Sequence, residues 1–83
     1  MTPPEHRVSE LNASTMFWRI RVKILRKWFE YSRRSRRTME MVFCDDQGSM
    51  IHAIVSKRHI HLFDDMFEEM QWRIVQFFKV DIS

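Results

Sequence analysis

The sequence is poor in the residues that cross-link or interrupt a chain. It contains a single cysteine, Cys44, so no internal disulfide can form, which is typical of a protein kept in a reducing compartment. The first ten residues have no apolar run of the kind found in secretory signals. No segment approaches the roughly 20 apolar residues that span a membrane. These absences predict a protein of the cytosol or nucleus, with no membrane partner.

Aromatic and aliphatic residues are not scarce. Hydrophobic residues make up 45% of the sequence and aromatic residues 13%, which is enough for a folded core and more than disordered chains carry. With 83 residues the chain forms at most one domain. A domain of this size buries only about 60% of its unfolded surface, so we expect modest stability.

The net charge of +3 conceals an uneven distribution of charge. Residues 19–37 contain nine Arg or Lys against one acid, Glu30, whereas residues 38–83 contain four bases against eight acids. A cluster of cations in one segment predicts a polyanionic partner there. The alternative is a solvated basic face that balances the acidic C-terminal half.

Residues 18–24 alternate strictly between apolar and basic side chains. The apolar positions are Trp18, Ile20, Val22 and Ile24, and the basic positions between them are Arg19, Arg21 and Lys23. A period of two with β-branched apolar residues predicts a half-buried strand over about 18–28. The alternation fails at Leu25, which indicates a β-bulge.

A basic amphipathic helix is the competing interpretation of this segment. On a helical wheel six apolar residues also cluster, interrupted by Arg21; they are Phe17, Trp18, Val22, Leu25, Trp28 and Phe29. Such a helix would bind a membrane surface or a calmodulin-like partner. The Ile and Val residues at alternating positions favour the strand.

The remaining elements follow from period and turn signals. Residues 29–37 are predicted to form a basic loop, because they are too polar and repulsive for a regular element. Alternation predicts strands at about 38–45 and 49–55, joined at Asp45–Gly48, where the only glycine can adopt positive φ. Residues 57–70 fit a helix with an apolar stripe at Ile60, Phe63, Phe67 and Met70, and Ser56 is placed to cap it. Residues 72–80 read as a fourth strand.

Core positions and domain bounds follow from the same pattern. Methionines are expected in the core as packing residues, at Met39, Met41, Met66 and Met70. Pro3 and Pro4 block an early helix, so residues 1–16 are predicted to be a flexible segment and residues 17–83 the domain. Val8, Leu11 and Phe17 are candidates to pack against the core from that side.

Three motifs resemble the OB domains of the plant replication protein A large-subunit-like family. The first is W-x-I-x-V-x-I/V-L-R-x-W, at Trp18, Ile20, Val22, Ile24, Leu25, Arg26 and Trp28. The second is D-x-x-G-x-x-I-H-A, at Asp45, Gly48, Ile51, His52 and Ala53. The third, Phe77-Phe78-Lys79-Val80, is similar to the family's N-F-x-V. The resemblance covers roughly residues 9–80.

The resemblance implies a mainly β fold with one helix, the five-stranded Greek-key barrel of the OB-fold. It implies single-stranded DNA binding in DNA replication, repair or recombination, in the nucleus and without catalysis. Relatives continue into a fifth strand, whereas this sequence stops at Ser83, so we expect an OB-fold that lacks its fifth strand and has open edges at residues 50–55 and 72–80.

Two further departures from the family pattern concern single residues. Ser56 occupies the place at the end of strand three where strong binders of this family often carry a stacking aromatic. Met70 replaces the glycine that commonly ends the helix, so the usual left-handed cap is predicted to be lost.

The predicted nucleic-acid contacts lie in the basic loop and on strand three. The loop cations are Arg33, Arg34, Arg36 and Arg37, whose guanidinium forks match phosphate oxygens. RRSRR alternatively serves as a solvated loop or a nuclear localisation signal. Lys57 and Arg58 are candidate phosphate contacts at the end of strand three, although Arg58 could equally pair with the helix acids.

Aromatic and basic neighbours complete the predicted site. Tyr31 is the better candidate to stack on a base, whereas Trp28 belongs to the strand motif and is more often a core residue. Arg26 lies beside Trp28 in the strand motif. His52 projects from strand three toward the expected binding face and could hydrogen-bond a base, or it could be an idle surface residue.

The sequence gives no sign of an enzyme, a metal site or a cofactor. No nucleophile–base pattern and no Gly-rich phosphate loop is present. Cys44, His59 and His61 lack the further ligands a zinc site needs. The expected partner is single-stranded DNA, with RNA as a second possibility. The alternative is a degenerate OB domain that assembles with replication protein A-like subunits or with a strand-donating chain.

Overall fold

A computed structural model describes residues 5–31, 37–76 and 78–80. Within them the chain forms four strands: β1 (Arg19–Tyr31), β2 (Arg37–Cys44), β3 (Met50–Ser56) and β4 (Trp72–Gln76). Helix α1 (Lys57–Phe63) lies between β3 and β4 and continues as a 3-10 turn at Asp64–Met66. A second 3-10 turn, Val8–Glu10, precedes β1.

The strands form one antiparallel sheet in the order β3-β2-β1-β4. The sheet curls into a half-barrel with α1 against its concave face, which confirms the predicted mainly β, OB-like fold. Among the described residues β3 and β4 are the two edges of the sheet, as predicted. In a closed five-stranded barrel another strand would lie between them.

The first strand is the centre of this sheet, and the strand interpretation of its sequence is confirmed. Its first half pairs with β4, from Arg19 opposite Gln76 to Lys23 opposite Trp72. Its second half pairs with β2. A one-residue register shift lies between Ile24 and Arg26, so the bulge predicted at Leu25 is also confirmed.

The bulge reverses which side chains of β1 face the core. Before it the even-numbered residues point inward, and Ile20, Val22 and Ile24 are almost completely buried. After it Phe29 packs against the core, opposite the buried Met39. Trp28 lies on the other face of the sheet, opposite Glu40, and is half-buried. Trp28 is therefore not a core residue, because the extra residue at position 25 changes its side of the sheet.

The predicted loop at residues 29–37 is shorter than the composition suggests. β1 extends to Tyr31 and β2 begins at Arg37. Cross-strand pairing overrides the polar composition here, because Phe29 gains the apolar partner Met39 and Glu30 lies opposite Thr38. The connection between the strands falls on residues 32–36, outside the described residues.

The β2–β3 hairpin forms as predicted. Met39, Met41 and Phe43 are buried, and the partner residues on β3 are Val55, Ala53 and Ile51, which pack on the same core. In the turn Gly48 has φ of 82°, a conformation that side chains rarely adopt.

Asp45, at the start of this turn, is buried and ties three parts of the chain together. Its carboxylate accepts hydrogen bonds from the backbone N–H groups of Val8, Gln47 and Ser49, each at 3.0 Å. Burial opposes ionisation of Asp45, but these N–H groups outweigh burial and lower the pKa of its carboxyl below the ordinary value. Asp45 thereby holds the N-terminal segment against the hairpin.

Part of the N-terminal segment packs against the sheet. Val8 is buried in the core and Leu11 packs against it, as the sequence suggested, whereas Phe17 is 77% exposed. His6 N donates to Arg19 O at 2.7 Å and extends the sheet beside the first half of β1. The division of the chain at residue 16 stays a prediction.

The predicted helix over 57–70 is wrong beyond residue 63. Ile60 and Phe67 of its apolar stripe are buried, but Met66 and Met70 are more than half exposed and are not core residues. Ser56 is the N-cap residue, although its hydroxyl contacts His59 Nδ1 at 3.1 Å rather than a backbone N–H. The side chain of Lys27, directed inward after the bulge, forms an ion pair with Asp64 where the helix tightens.

The left-handed residue after the helix is retained. Met70 has φ of 69° and is the one non-glycine residue with positive φ among the described residues. Its N–H donates to Ile24 O at 2.6 Å, and Ile24 N in turn donates to Gln71 O at 3.0 Å. These two bonds to β1 fix the left-handed conformation of Met70 without glycine. Met70 does not cap the helix, whose C-cap is the right-handed Asp64, so the helix lacks a left-handed cap, as predicted.

The fourth strand is shorter than predicted and ends at Gln76. Phe78 still packs against the core and Val80 is buried, although neither belongs to a strand. Residue 77 lies outside the described residues.

Candidate nucleic-acid interface

The structure separates the predicted contact residues into two groups. Tyr31, Arg37, Lys57 and Arg58 lie at the end of the sheet where β2 and α1 begin. Arg26, Trp28 and His52 lie on the outer face of the sheet, away from the core. The loop residues Arg33, Arg34 and Arg36 fall outside the described residues, so their predicted contacts stay predictions.

The first group lines an open groove. Thr38 pairs with Ser56 across the β2–β3 ladder, and this pairing brings the start of β2 beside the start of α1. The groove between them has a volume of about 570 Å³ and is lined by Arg37, Thr38, Ser56, Lys57 and Arg58. Three of the five lining residues are cations and none is an acid, so the groove suits an anionic ligand.

Arg37 is held in this groove by an aromatic contact. Its guanidinium carbon lies 4.0 Å from the centre of the Phe29 ring. Its Nε is buried and has no hydrogen-bond acceptor among the described residues. The buried Nε is closed to a ligand, but Arg37 as a whole is half-buried, so its guanidinium is partly open to the groove.

Tyr31 is the exposed aromatic next to the groove. It lies directly opposite Arg37 in the β1–β2 register, and 70% of its surface is exposed. No ring, ion-pair or hydrogen-bond contact involves its side chain among the described residues. Tyr31 therefore has the position and the exposure that a base-stacking residue needs.

The second group forms a compact cluster on the outer face. The Trp28 and His52 rings stack with centroids 5.7 Å apart and planes 19° apart. His52 Nε2 lies 2.9 Å from Glu40 Oε1, and Trp28 Nε1 donates to Glu30 Oε1 at 3.0 Å. Neighbouring side chains thus already engage the polar atoms of Trp28 and His52.

Arg26 completes this outer cluster. Its guanidinium carbon lies 5.6 Å from the centre of the Trp28 ring. A base could stack on Trp28 only by displacing Arg26 or His52. Two carboxylates, Glu30 and Glu40, also face any phosphate that approaches. The outer cluster is therefore a less suitable site for a polyanion than the groove.

Sequence reasoning did not nominate the basic residues on the other half of the same outer face as contacts. Arg19, Arg21 and Lys23 project there, opposite Gln76, Ile74 and Trp72 of β4. The guanidinium carbon of Arg21 lies 4.3 Å from the centre of the Trp72 ring. The alternation had placed the three cations on one polar face, but only the β1–β4 register brings Trp72 beside them.

Other classes of site find no support within the described part of the chain. No group of three or more His, Cys, Asp or Glu side chains there is arranged to hold a metal ion. Cys44 is half-buried and carries a free thiol. None of the helices described has the length and apolar character to cross a membrane. Arg58, which could have paired with the helix acids, forms no ion pair with a described residue.

Comparison with known proteins places the chain in a family without a defined activity. A family model described as a domain of unknown function, DUF223, matches residues 9–83. Neither the curated proteins nor the solved structures contain a significant match.

Proposed function

We propose that this chain, which belongs to the DUF223 family, binds single-stranded nucleic acid. The ligand we propose is single-stranded DNA, handled in replication, repair or recombination in the nucleus, without catalysis. The motif resemblance to replication protein A large-subunit-like OB domains and the OB-like half-barrel both support this function. RNA is the second ligand to test.

The single observation that carries the proposal is the groove lined by Arg37, Lys57 and Arg58 without an acid. The Arg37 guanidinium forms no ion pair with a described residue. A phosphate oxygen would accept from Arg37 while the two neighbouring cations neutralise the backbone charge.

The position of Tyr31 favours a single strand over a duplex. A base can stack on Tyr31 only if it is free of its own neighbours, as bases are in single strands. The acids of the outer cluster, Glu30 and Glu40, disfavour phosphates across the middle of the sheet. The strand would therefore follow the end of the sheet, where Arg37, Lys57 and Arg58 line the groove.

Fluorescence anisotropy with a labelled single strand and the matching duplex tests this function. We expect tighter binding to the single strand, with affinity that falls as salt rises. If all four loop arginines contact phosphates, the log–log salt slope from these contacts is about −2 to −3. Equal affinity for the duplex would contradict the proposal.

Replacing the groove cations tests the site itself. Arg37→Ala combined with Lys57→Ala and Arg58→Ala should lower the affinity for the single strand by at least tenfold, because three contacts disappear. Arg7→Ala is the single-charge control for Arg37→Ala alone. Arg7 is exposed beside the β2–β3 turn, about 24 Å along β2 from the groove. Equal losses in Arg37→Ala and Arg7→Ala would show that only net charge matters.

A second candidate function is assembly through the open edges of the sheet. β3 and β4 have no outer neighbour among the described residues, and Ile54 on β3 and Ile74 on β4 are 62% and 40% exposed. A strand from another chain, such as a replication protein A-like subunit, could complete the barrel by β-augmentation. Light scattering after size exclusion distinguishes this function: a self-assembling module elutes as a dimer or larger, and a monomer that recruits no strand-donating subunit contradicts it.

A further inference from the structure

We propose that the outer face of β1 carries a second contact row for the same nucleic-acid strand, formed by Arg21, Lys23 and Arg26 beside Trp72. This inference rests on the proposed single-strand binding, and it extends that binding from the groove to the opposite half of the sheet. None of the groove residues takes part in the row.

The β1 backbone places these cations in a regular line. Alternate residues of a strand project from one face about 6.8 Å apart, which is comparable to the spacing of successive phosphates in an extended single strand. The bulge at Leu25 inserts one residue, so Arg26 stays on the same face as Lys23. Their opposite neighbours, Val42 and Cys44, are alternate residues of β2 and confirm that shared face.

The side chains of the row are available to a ligand. Arg21 and Arg26 are exposed and Lys23 is half-exposed. Among the described residues none of the three forms a hydrogen bond or an ion pair through its side chain. Trp72 lies 4.3 Å beneath the guanidinium of Arg21. This contact restricts Arg21 before a ligand arrives and so lowers the entropy that binding must overcome.

The charge around the row also favours an anion. The outward residues of β4 are Trp72, Ile74 and Gln76, so neither strand presents an acid on this face before the bulge. Three carboxylates line a small polar pocket that Arg21 also borders, those of Glu5, Asp45 and Asp46. Asp45 already accepts three backbone hydrogen bonds, which leaves Glu5 and Asp46 as the acids that oppose an anion there.

Continuity with the groove selects nucleic acid as the ligand rather than an acidic protein. β1 runs from Arg21 to Tyr31 at the groove, about 34 Å along the strand, close to the longest dimension of 42 Å. A flexible polyanion can pass around the outer cluster, whose Glu30 and Glu40 disfavour phosphates, and still reach both the row and the groove. Only a long strand can reach both the row and the groove.

The dependence of affinity on oligonucleotide length tests the row. The probes are single strands of about 4 and about 16 nucleotides, the limits of OB-fold site sizes, and the short one cannot reach from the row to the groove. We expect Arg21→Ala with Lys23→Ala to weaken binding of the long strand about tenfold and that of the short strand clearly less. The salt slope for the long strand should fall in magnitude by about 0.7 for each lost contact.

Two variants keep the test specific. Gln76→Ala removes an exposed, uncharged side chain from the same face and should leave both affinities unchanged. Arg21→Ala alone, at an exposed position, provides a milder variant if the half-buried Lys23 proves necessary for folding. Circular dichroism and thermal unfolding verify that each variant retains its fold.

The outcomes separate this inference from the proposed function. If the wild type binds single strands and the groove variant weakens binding, but the row variant equals the wild type at both lengths, the row is not a nucleic-acid contact. If the row variant loses the same affinity for the short and the long strand, the row does not extend the binding site for long strands. Absence of any single-strand preference in the wild type overturns the proposed function itself.

Discussion

The two halves of β1 share a backbone but present opposite chemistry on the outer face of the sheet. Before the bulge the outward residues Arg19, Arg21 and Lys23 are all basic, and β4 beside them adds no acid. After the bulge the outward residues are Arg26, Trp28 and Glu30, and β2 beside them adds Glu40. The outer face of the first half is thus suited to anions, whereas the side chains of the second half bind mainly one another.

The comparison shows what one inserted residue accomplishes. Without the bulge at Leu25, continued alternation would direct Arg26 and Trp28 into the core and Phe29 outward. With it, Phe29 reaches the core opposite Met39, and the outward cations continue from Lys23 to Arg26. A single strand thereby contributes to the core along its length while its outer face changes from basic to mixed.

Replacing Phe29 with Ala should break the comparison with the largest effect. The bulge at Leu25 directs Phe29 into the core opposite Met39, so truncating its side chain removes core packing. We expect a loss of about 3 kcal/mol in the free energy of unfolding, measured by urea denaturation. Trp28→Ala, at the neighbouring half-buried position on the outer face, should lose much less. Similar losses in the two variants would mean that the bulge does not decide which side chain contributes to the core.

Asp45→Ala should detach the N-terminal segment, which flanks the first half of β1, from the β2–β3 turn. Three backbone N–H groups would lose their acceptor, at a cost of about 2–3 kcal/mol in unfolding free energy. Asp46→Ala, at the exposed neighbour, is the control and should have little effect. Hydrogen exchange should show faster exchange at Val8 in the Asp45 variant only.

Asp45 also gives the fold a defined response to acid. Its pKa is lower in the folded chain than in the unfolded chain, so its contribution is fully present above the unfolded value of about 3.9. That contribution disappears as pH falls through the lower folded value. Lowering the pH below 4 should therefore reduce the unfolding free energy of the wild type more than that of Asp45→Asn. Parallel profiles of unfolding free energy against pH would contradict this role.

Met70→Gly should strengthen the junction where the two halves of β1 meet, since Met70 N donates to Ile24 O. A non-glycine residue in the left-handed region costs about 1–2 kcal/mol, and glycine loses about 0.5–1 kcal/mol more backbone entropy on folding. The expected net gain is about 0.5–1 kcal/mol in thermal unfolding. Met66→Gly, at an exposed residue without positive φ, should destabilise instead; a loss for Met70→Gly as well would refute the strain.

Glu40→Gln should make the outer face of the second half of β1 less repulsive to phosphate, like that of the first half. This is the smallest effect that we expect. Removing one carboxylate from the outer cluster makes the second half less repulsive to phosphate, so affinity for a single strand should rise about two- to threefold at low salt. Glu69→Gln, at an exposed residue after the helix, removes the same charge elsewhere. An equal rise in both variants would indicate a net-charge effect rather than a local one.

The sequence predicts the local parts of this molecule well. Strict alternation identified the inward faces of β2 and β3 and of the first half of β1, and a single interrupted position identified the bulge. It did not place Trp28, because the side on which β1 continues after a bulge depends on its pairing with β2. It placed Met70 in a helical stripe and Met66 in the core, but the structure ends the helix early, where Lys27 pairs with Asp64 and β1 binds Met70.

The candidate site divides in the same way. The sequence alone nominated Arg37, Lys57, Arg58 and Tyr31 from charge and motif, but these residues are up to 27 positions apart. Only the Thr38–Ser56 pairing brings Arg37 to the groove beside Lys57 and Arg58. Trp72 joined Arg21 only through the β1–β4 register, which no pattern within either segment contains.

By itself the sequence determined the strands, the turn at Gly48 and the concentration of positive charge, because side-chain period and charge are local properties of the chain. The tertiary structure decided which cations meet in the groove, which side of the sheet carries Trp28 and why Met70 adopts positive φ. Each of these depends on contacts between segments distant in sequence. The basic stretch of β1 is thus a property of the sequence, and its division at Leu25 into two unlike surfaces is a consequence of pairing with β4 on one side and β2 on the other.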